Sequence, residues 1–101
     1  MLVKLVEIFQ EGSYNNEGSI KPKYSLRETY INPNHVVCIR EEPSMLFELE
    51  GTSILKELDL RQEFTRMHID RGQSGLDITV VGSLKVIKEK LSCEVKRVLK
   101  G

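Results

Sequence analysis

The sequence predicts an α+β fold: an antiparallel sheet of four to six strands covered on one face by one carboxy-terminal helix. Three observations lead there. Leu84, Ile87, Leu91, Val95 and Val98 recur at spacings of three and four, which describes a helix with a single apolar stripe. Just upstream, Glu63 to Asp70 and Leu76 to Val81 flank Arg71-Gly72-Gln73-Ser74-Gly75, whose glycines supply the conformations a hairpin turn needs. Earlier still, Leu2 to Phe9, Tyr24 to Ile31 and His35 to Glu41 are rich in β-branched and aromatic residues and are bounded by turn residues.

Taken in order, Leu2 to Phe9 reads as a mostly buried strand, its apolar run interrupted only by Lys4 and Glu7. Residues 10–23 are rich in Gly, Asn, Ser and Glu, with Pro22 near the end; turn chemistry with little to pack predicts a mobile hairpin loop. Tyr24 to Ile31 alternates, with Tyr24, Leu26, Glu28 and Tyr30 on one face and Ser25, Arg27, Thr29 and Ile31 on the other. Asn32-Pro33-Asn34 turns the chain, because Pro33 presets φ and both Asn side chains can bond the local backbone. His35 to Glu41 is the next strand, stopped at Glu42-Pro43-Ser44, and Met45 to Glu50 reads as a further one. In Ser53 to Leu60, Ile54, Leu55 and Leu58 share a helical face behind a Ser53 cap, so a helical turn or loop is expected there. Glu63 to Asp70 puts Phe64, Arg66 and His68 opposite Thr65, Met67 and Ile69. After the second hairpin strand, Gly82 releases the chain and Ser83 offers a capping oxygen to the final helix.

With 101 residues the chain is one domain, 1–101, too small for two cores and small enough to gain from self-association. Fifteen basic residues balance fifteen acidic ones, which argues against the broad positive field of an obligate nucleic-acid binder. The balance is uneven along the chain. Seven acidic residues between Glu41 and Glu63 face only Lys56 and Arg61, whereas six basic residues after Ser83 face only Glu89 and Glu94. Such a dipolar chain suits a protein partner or a homo-oligomer. Cys38 and Cys93 belong to no metal-ligand or redox motif, so neither metal nor cofactor is expected. Lys4 and Glu7 interrupt the first apolar run, which excludes a spanning segment; a cytoplasmic address with reduced thiols follows.

Few residues suggest chemistry. His68 lies between Arg66 and Asp70 at period two, so a carboxylate could orient its imidazole, but no supported nucleophile stands nearby and a catalytic role is not expected. Arg27, Arg66, His68 and Arg71, with Tyr24 or Tyr30 beside them, would form a sheet face able to contact nucleic acid. The Gly72 to Gly75 segment lacks the Lys and the helix start of a phosphate loop and reads as a turn. A helix of about 17 residues is roughly 25 Å long, more than a short strand can match, so its end should overhang the sheet. That places Val95, Lys96, Arg97, Val98, Leu99 and Lys100 at the expected protein interface.

The run Tyr30-Ile31-Asn32-Pro33-Asn34-His35-Val36-Val37-Cys38-Ile39-Arg40-Glu41, followed by Val80-Val81-Gly82-Ser83-Leu84-Lys85-Val86-Ile87-Lys88-Glu89-Lys90-Leu91, resembles the small flagellar and swarming motility proteins of the FlbD type. The resemblance implies a strand, an Asn-Pro turn, another strand, and a strand leading into a short final helix. In overall style the chain also looks like small accessory proteins of large tailed phages. Neither resemblance supplies catalytic residues. The functional expectation is a non-enzymatic binding or regulatory module acting through protein contacts. The alternative is a nucleic-acid-binding regulator using the face around Arg66 and Arg71.

Overall fold

The computed structural model describes residues 2–16, 18–49, 62–70, 72 and 75–100, and for 14–16, 19–21, 47 and 93–100 it describes the backbone alone. Five strands form one antiparallel sheet: β1 (Val3–Asn16), β2 (Ser19–Ile31), β3 (Val36–Glu41), β4 (Phe64–Asp70) and β5 (Gly75–Val81), in the spatial order β2-β1-β5-β4-β3. A helical turn α1 (Met45–Glu48) follows β3, and the chain ends in helix α2 (Leu84–Lys100). The α+β class is as the sequence predicts. No helix among the described residues is long and apolar enough to cross a membrane.

The largest departure from the sequence reading lies at 10–23. The sequence reads as a mobile hairpin loop here, yet β1 runs to Asn16 and β2 starts at Ser19, so β1 and β2 pair along a ribbon from Val3↔Ile31 to Asn16↔Ser19. Backbone ladder bonds do not depend on side-chain character, and Gly18, at φ +84°, supplies the tight turn. One irregularity, between Gln10 and Gly12, shifts the register. Met45 to Glu50 is likewise corrected: Met45–Glu48 is helical, because Glu48 N–H donates to the Ser44 carbonyl (3.2 Å) and Leu49 N–H to that of Met45 (3.0 Å). The segment 53–60 lies outside the described residues.

Between β2 and β3, Asn32 caps a 3-10 turn at Pro33–His35, its Oδ1 accepting from Asn34 N–H at 2.9 Å. This short link shapes the whole sheet. β2 and β3 occupy opposite edges, about 19 Å apart in a flat sheet. Five peptide steps from Ile31 to Val36 reach at most about 18 Å, and the 3-10 turn shortens them. The register adds a lengthwise offset, since Ile31 lies opposite Val3 near one end while Val36 lies opposite Ile69 near the other. A flat sheet cannot satisfy both, so the sheet is curled, as closure with staggered strands requires. Ile31 from one edge and Val36 from the other accordingly pack into one core with Val3, Leu5, Met67, Ile78 and Val80.

That core is the concave face, and α2 seals it through Ile87, fully buried, and Leu91. Helix and sheet are tied at the strand-to-helix junction. Gly82, at φ +137°, donates to the Glu63 carbonyl (2.8 Å), and its own carbonyl accepts from the buried Thr65 hydroxyl (2.9 Å). A Cβ on Gly82 would sit 3.0 Å from Ile87 Cδ1, so a side chain here meets both strain and crowding. Ser83 Oγ accepts from Val86 N–H at 3.2 Å, the predicted cap. A second core lies on the convex face, where Met45, Leu46 and Leu49 cover Ile8, Leu26, Tyr24, Phe64 and Val81.

Candidate functional site

Cross-strand register sorts the polar residues between the two faces, because directly opposed residues in an antiparallel pair share a face. On the convex side two rows cross β3, β4 and β5: Cys38, His68 and Asp77 form one, and Arg40, Arg66 and Thr79 the other. His68 Nδ1 bonds Asp77 Oδ1 at 2.5 Å, and the ring lies above Gly75, where a Cβ would come within 2.6 Å of His68 Cε1. Gly75 is therefore a glycine of close approach, whereas Gly72, at φ +95°, serves the turn itself. The carboxylate that orients His68 is Asp77 from the neighbouring strand. Asp70, the expected partner, instead accepts from Gly72 N–H at 2.6 Å. The His68 hydrogen bond holds the Asp77 carboxyl below its ordinary range, with the charges of His68, Arg66 and Arg40 acting the same way.

Arg66 reaches two carboxylates, Glu42 at 3.5 Å and Asp77 at 3.4 Å, so its charge is answered within the fold. Arg40 stands directly opposite Arg66, and its guanidinium meets Cys38 Sγ at 3.8 Å. The four residues proposed from sequence for nucleic-acid contact do not converge. Arg66 and His68 share the convex face; Arg27 lies on the concave one; Arg71 is outside the described residues. Arg27 clasps Glu7 with two hydrogen bonds, Nε to Oε1 at 3.0 Å and Nη2 to Oε2 at 3.2 Å, and stacks 4.1 Å from the Phe9 ring centroid. The Glu7 bond raises the Arg27 pKa above its ordinary value. Glu7 is buried although charged, a burial its bidentate partner makes tolerable.

The Glu7–Arg27 pair lies in a cleft of about 680 Å³, on the part of the concave face that α2 does not fill. Its walls are Ile31, Ile69 and Ile78, and Thr29, Asn32 and His35 add polar groups. Three exposed apolar residues stand around it: Leu2 at 58 %, Tyr30 at 57 % and Leu76 at 61 %. Sequence reasoning missed this cleft because its residues come from β1, β2, β4 and β5, and the curl that gathers them is set by the length of one link. A smaller recess of about 180 Å³ lies between Pro43, Leu46, Phe64 and Leu84, with Glu41, Glu42 and Glu63 around it.

Tyr24 is turned away from both sites, its hydroxyl donating to Glu48 at 3.0 Å; partial burial first, and this carboxylate second, raise its pKa. The sequence-predicted interface Val95, Lys96, Arg97, Val98, Leu99 and Lys100 lies on the last turns of α2, with its side chains outside the described residues. Among the described residues no group of three or more His, Cys, Asp or Glu side chains is placed to hold a metal ion. No family model, no curated protein and no solved structure matches this chain.

Proposed function

We propose that the chain is a non-enzymatic binding module that acts through protein contacts, with the concave cleft as its recognition surface. The observation that carries this reading is the gathering of exposed Leu2, Tyr30 and Leu76 around a recess walled by isoleucines. Apolar side chains at a rim with a few fixed polar groups inside favour a protein segment over a polyanion. The charges point the same way. Arg27 is matched by Glu7, and Arg66 by Glu42 and Asp77, so neither is free to meet a phosphate without displacing a carboxylate. His68 sits on the convex face, outside the lining of the two recesses described above, with its imidazole held by Asp77.

The test uses the full chain as bait, side by side with a Leu76→Asp variant and with a Lys88→Glu control on the exposed side of α2. A protein retained by wild type and control but lost with Leu76→Asp, and then shown to bind directly in calorimetry with purified components, supports the reading. Retention that ignores Leu76→Asp, together with a salt-sensitive shift of single-stranded oligonucleotide abolished by Arg66→Ala, would replace it with the nucleic-acid alternative.

A further inference from the structure

We infer that the occupant of the cleft is a second copy of this chain, which inserts the outer part of its β1–β2 hairpin. The inference rests on the protein-contact reading and names the partner. β1 meets β5 only at Glu7↔Val80 and Ile8↔Thr79. Beyond that point Gln10 to Asn16 pairs with β2 alone, over seven residues or about 23 Å. A two-stranded ribbon standing free in water is marginal by itself and gains by finding a third strand. Among the described residues, the same divergence leaves the β1-facing backbone edge of β5, from Gly75 to Ile78, without a strand partner beside the cleft. One chain therefore carries both a ribbon in need of a strand and a strand edge in need of a ribbon.

Charge complements shape. Lys23 on the ribbon makes no ion pair among the described residues, and the exposed Asp70, at the β4 end of the hairpin beside the cleft, meets no cation among them either. Pro22 blunts the β2 edge of the ribbon, so the β1 edge, which contains no proline, is the one that adds to β5. Reciprocal insertion about a two-fold axis closes the assembly at two copies.

Light scattering after size exclusion, across a dilution series, tests the inference on the full chain. Wild type should run at twice the chain mass. A variant with residues 12–23 replaced by Asn-Gly, and separately Leu76→Asp, should each run at the single-chain mass and keep a cooperative thermal unfolding transition. Mixed one to one, these two variants should regain a species of two chains, because one still offers the cleft and the other still offers the ribbon. Lys23→Glu, which leaves the ribbon paired, should weaken the dimer several-fold. A wild type that stays at single-chain mass at every concentration overturns the inference, as does a dimer that survives both variants. In either case the protein-contact reading stands or falls separately, on whether Leu76→Asp loses a captured and purified partner.

Discussion

The inner half of β1, Val3 to Phe9, and its outer half, Gln10 to Asn16, belong to one strand and are stabilised by different physics. In the inner half Val3, Leu5 and Ile8 are buried between β2, β5 and the helices, and the strand has neighbours on both sides. The outer half has one neighbour, few apolar residues and the polar tip. Hydrophobic burial fixes the first, at roughly 25 cal/mol for each Å² removed from water. Among the described residues the second is held by backbone ladder bonds and a few exposed side-chain ones, Gln10 donating to the Gly12 carbonyl and Ser25 to Glu11, and their net contribution is small when water competes for the same groups. Continuity of a strand is thus no guide to uniform stability along it.

The sharpest way to break this contrast is to attack the body. Met67→Ala, at a fully buried position facing α2, should cost about 3 kcal/mol in urea unfolding of the body. Thr65→Val removes the hydroxyl that satisfies the Gly82 carbonyl; a loss of about 1–2 kcal/mol is expected in the same assay. Ser83→Ala, which uncaps α2, should cost about 1 kcal/mol and leave the sheet's hydrogen-exchange pattern intact.

A smaller effect is expected on the convex row. Because the His68 bond depresses the Asp77 pKa, the stabilisation it represents is present above the ordinary carboxylate value of about 3.9. It is lost as the pH falls through the lower value of the folded state. His68→Ala should return the Asp77 carboxyl toward the ordinary range, and Gly75→Ala, which crowds the imidazole, should do so in part; a carbon-detected titration reads both. Smallest of all is Gly12→Ala, where a Cβ meets nothing within 4 Å. In the Leu76→Asp background it should move global stability by less than about 0.5 kcal/mol. A cost equal to that of Thr65→Val would show that the outer ribbon is part of the cooperative unit after all.

Legibility from sequence followed the same division. The β4–β5 hairpin and α2 could be read because Met67, Ile78, Ile87 and Leu91 recur at the periods that burial on one face imposes. The ribbon could not, because Gly12, Ser13, Asn15 and Asn16 have loop composition and their ladder is written in the backbone. The partnership of His68 with Asp77 depends on a register in which neither residue announces the other. Asp70, two positions along the same strand, was the nearer carboxylate in sequence and the wrong one in space. The cleft needed the curl of the sheet, which follows from the length of the link at 32–35 and from no single residue.

The brief contact between β1 and β5 also bears on the order in which the molecule assembles. Each hairpin is local and can zip on its own, but the Glu7–Ile8 to Thr79–Val80 join brings together residues roughly 70 positions apart and carries most of the loop-closure cost. Until it forms, the chain is two separate hairpin units on a tether, and its apolar concave surface stands open to any neighbouring copy.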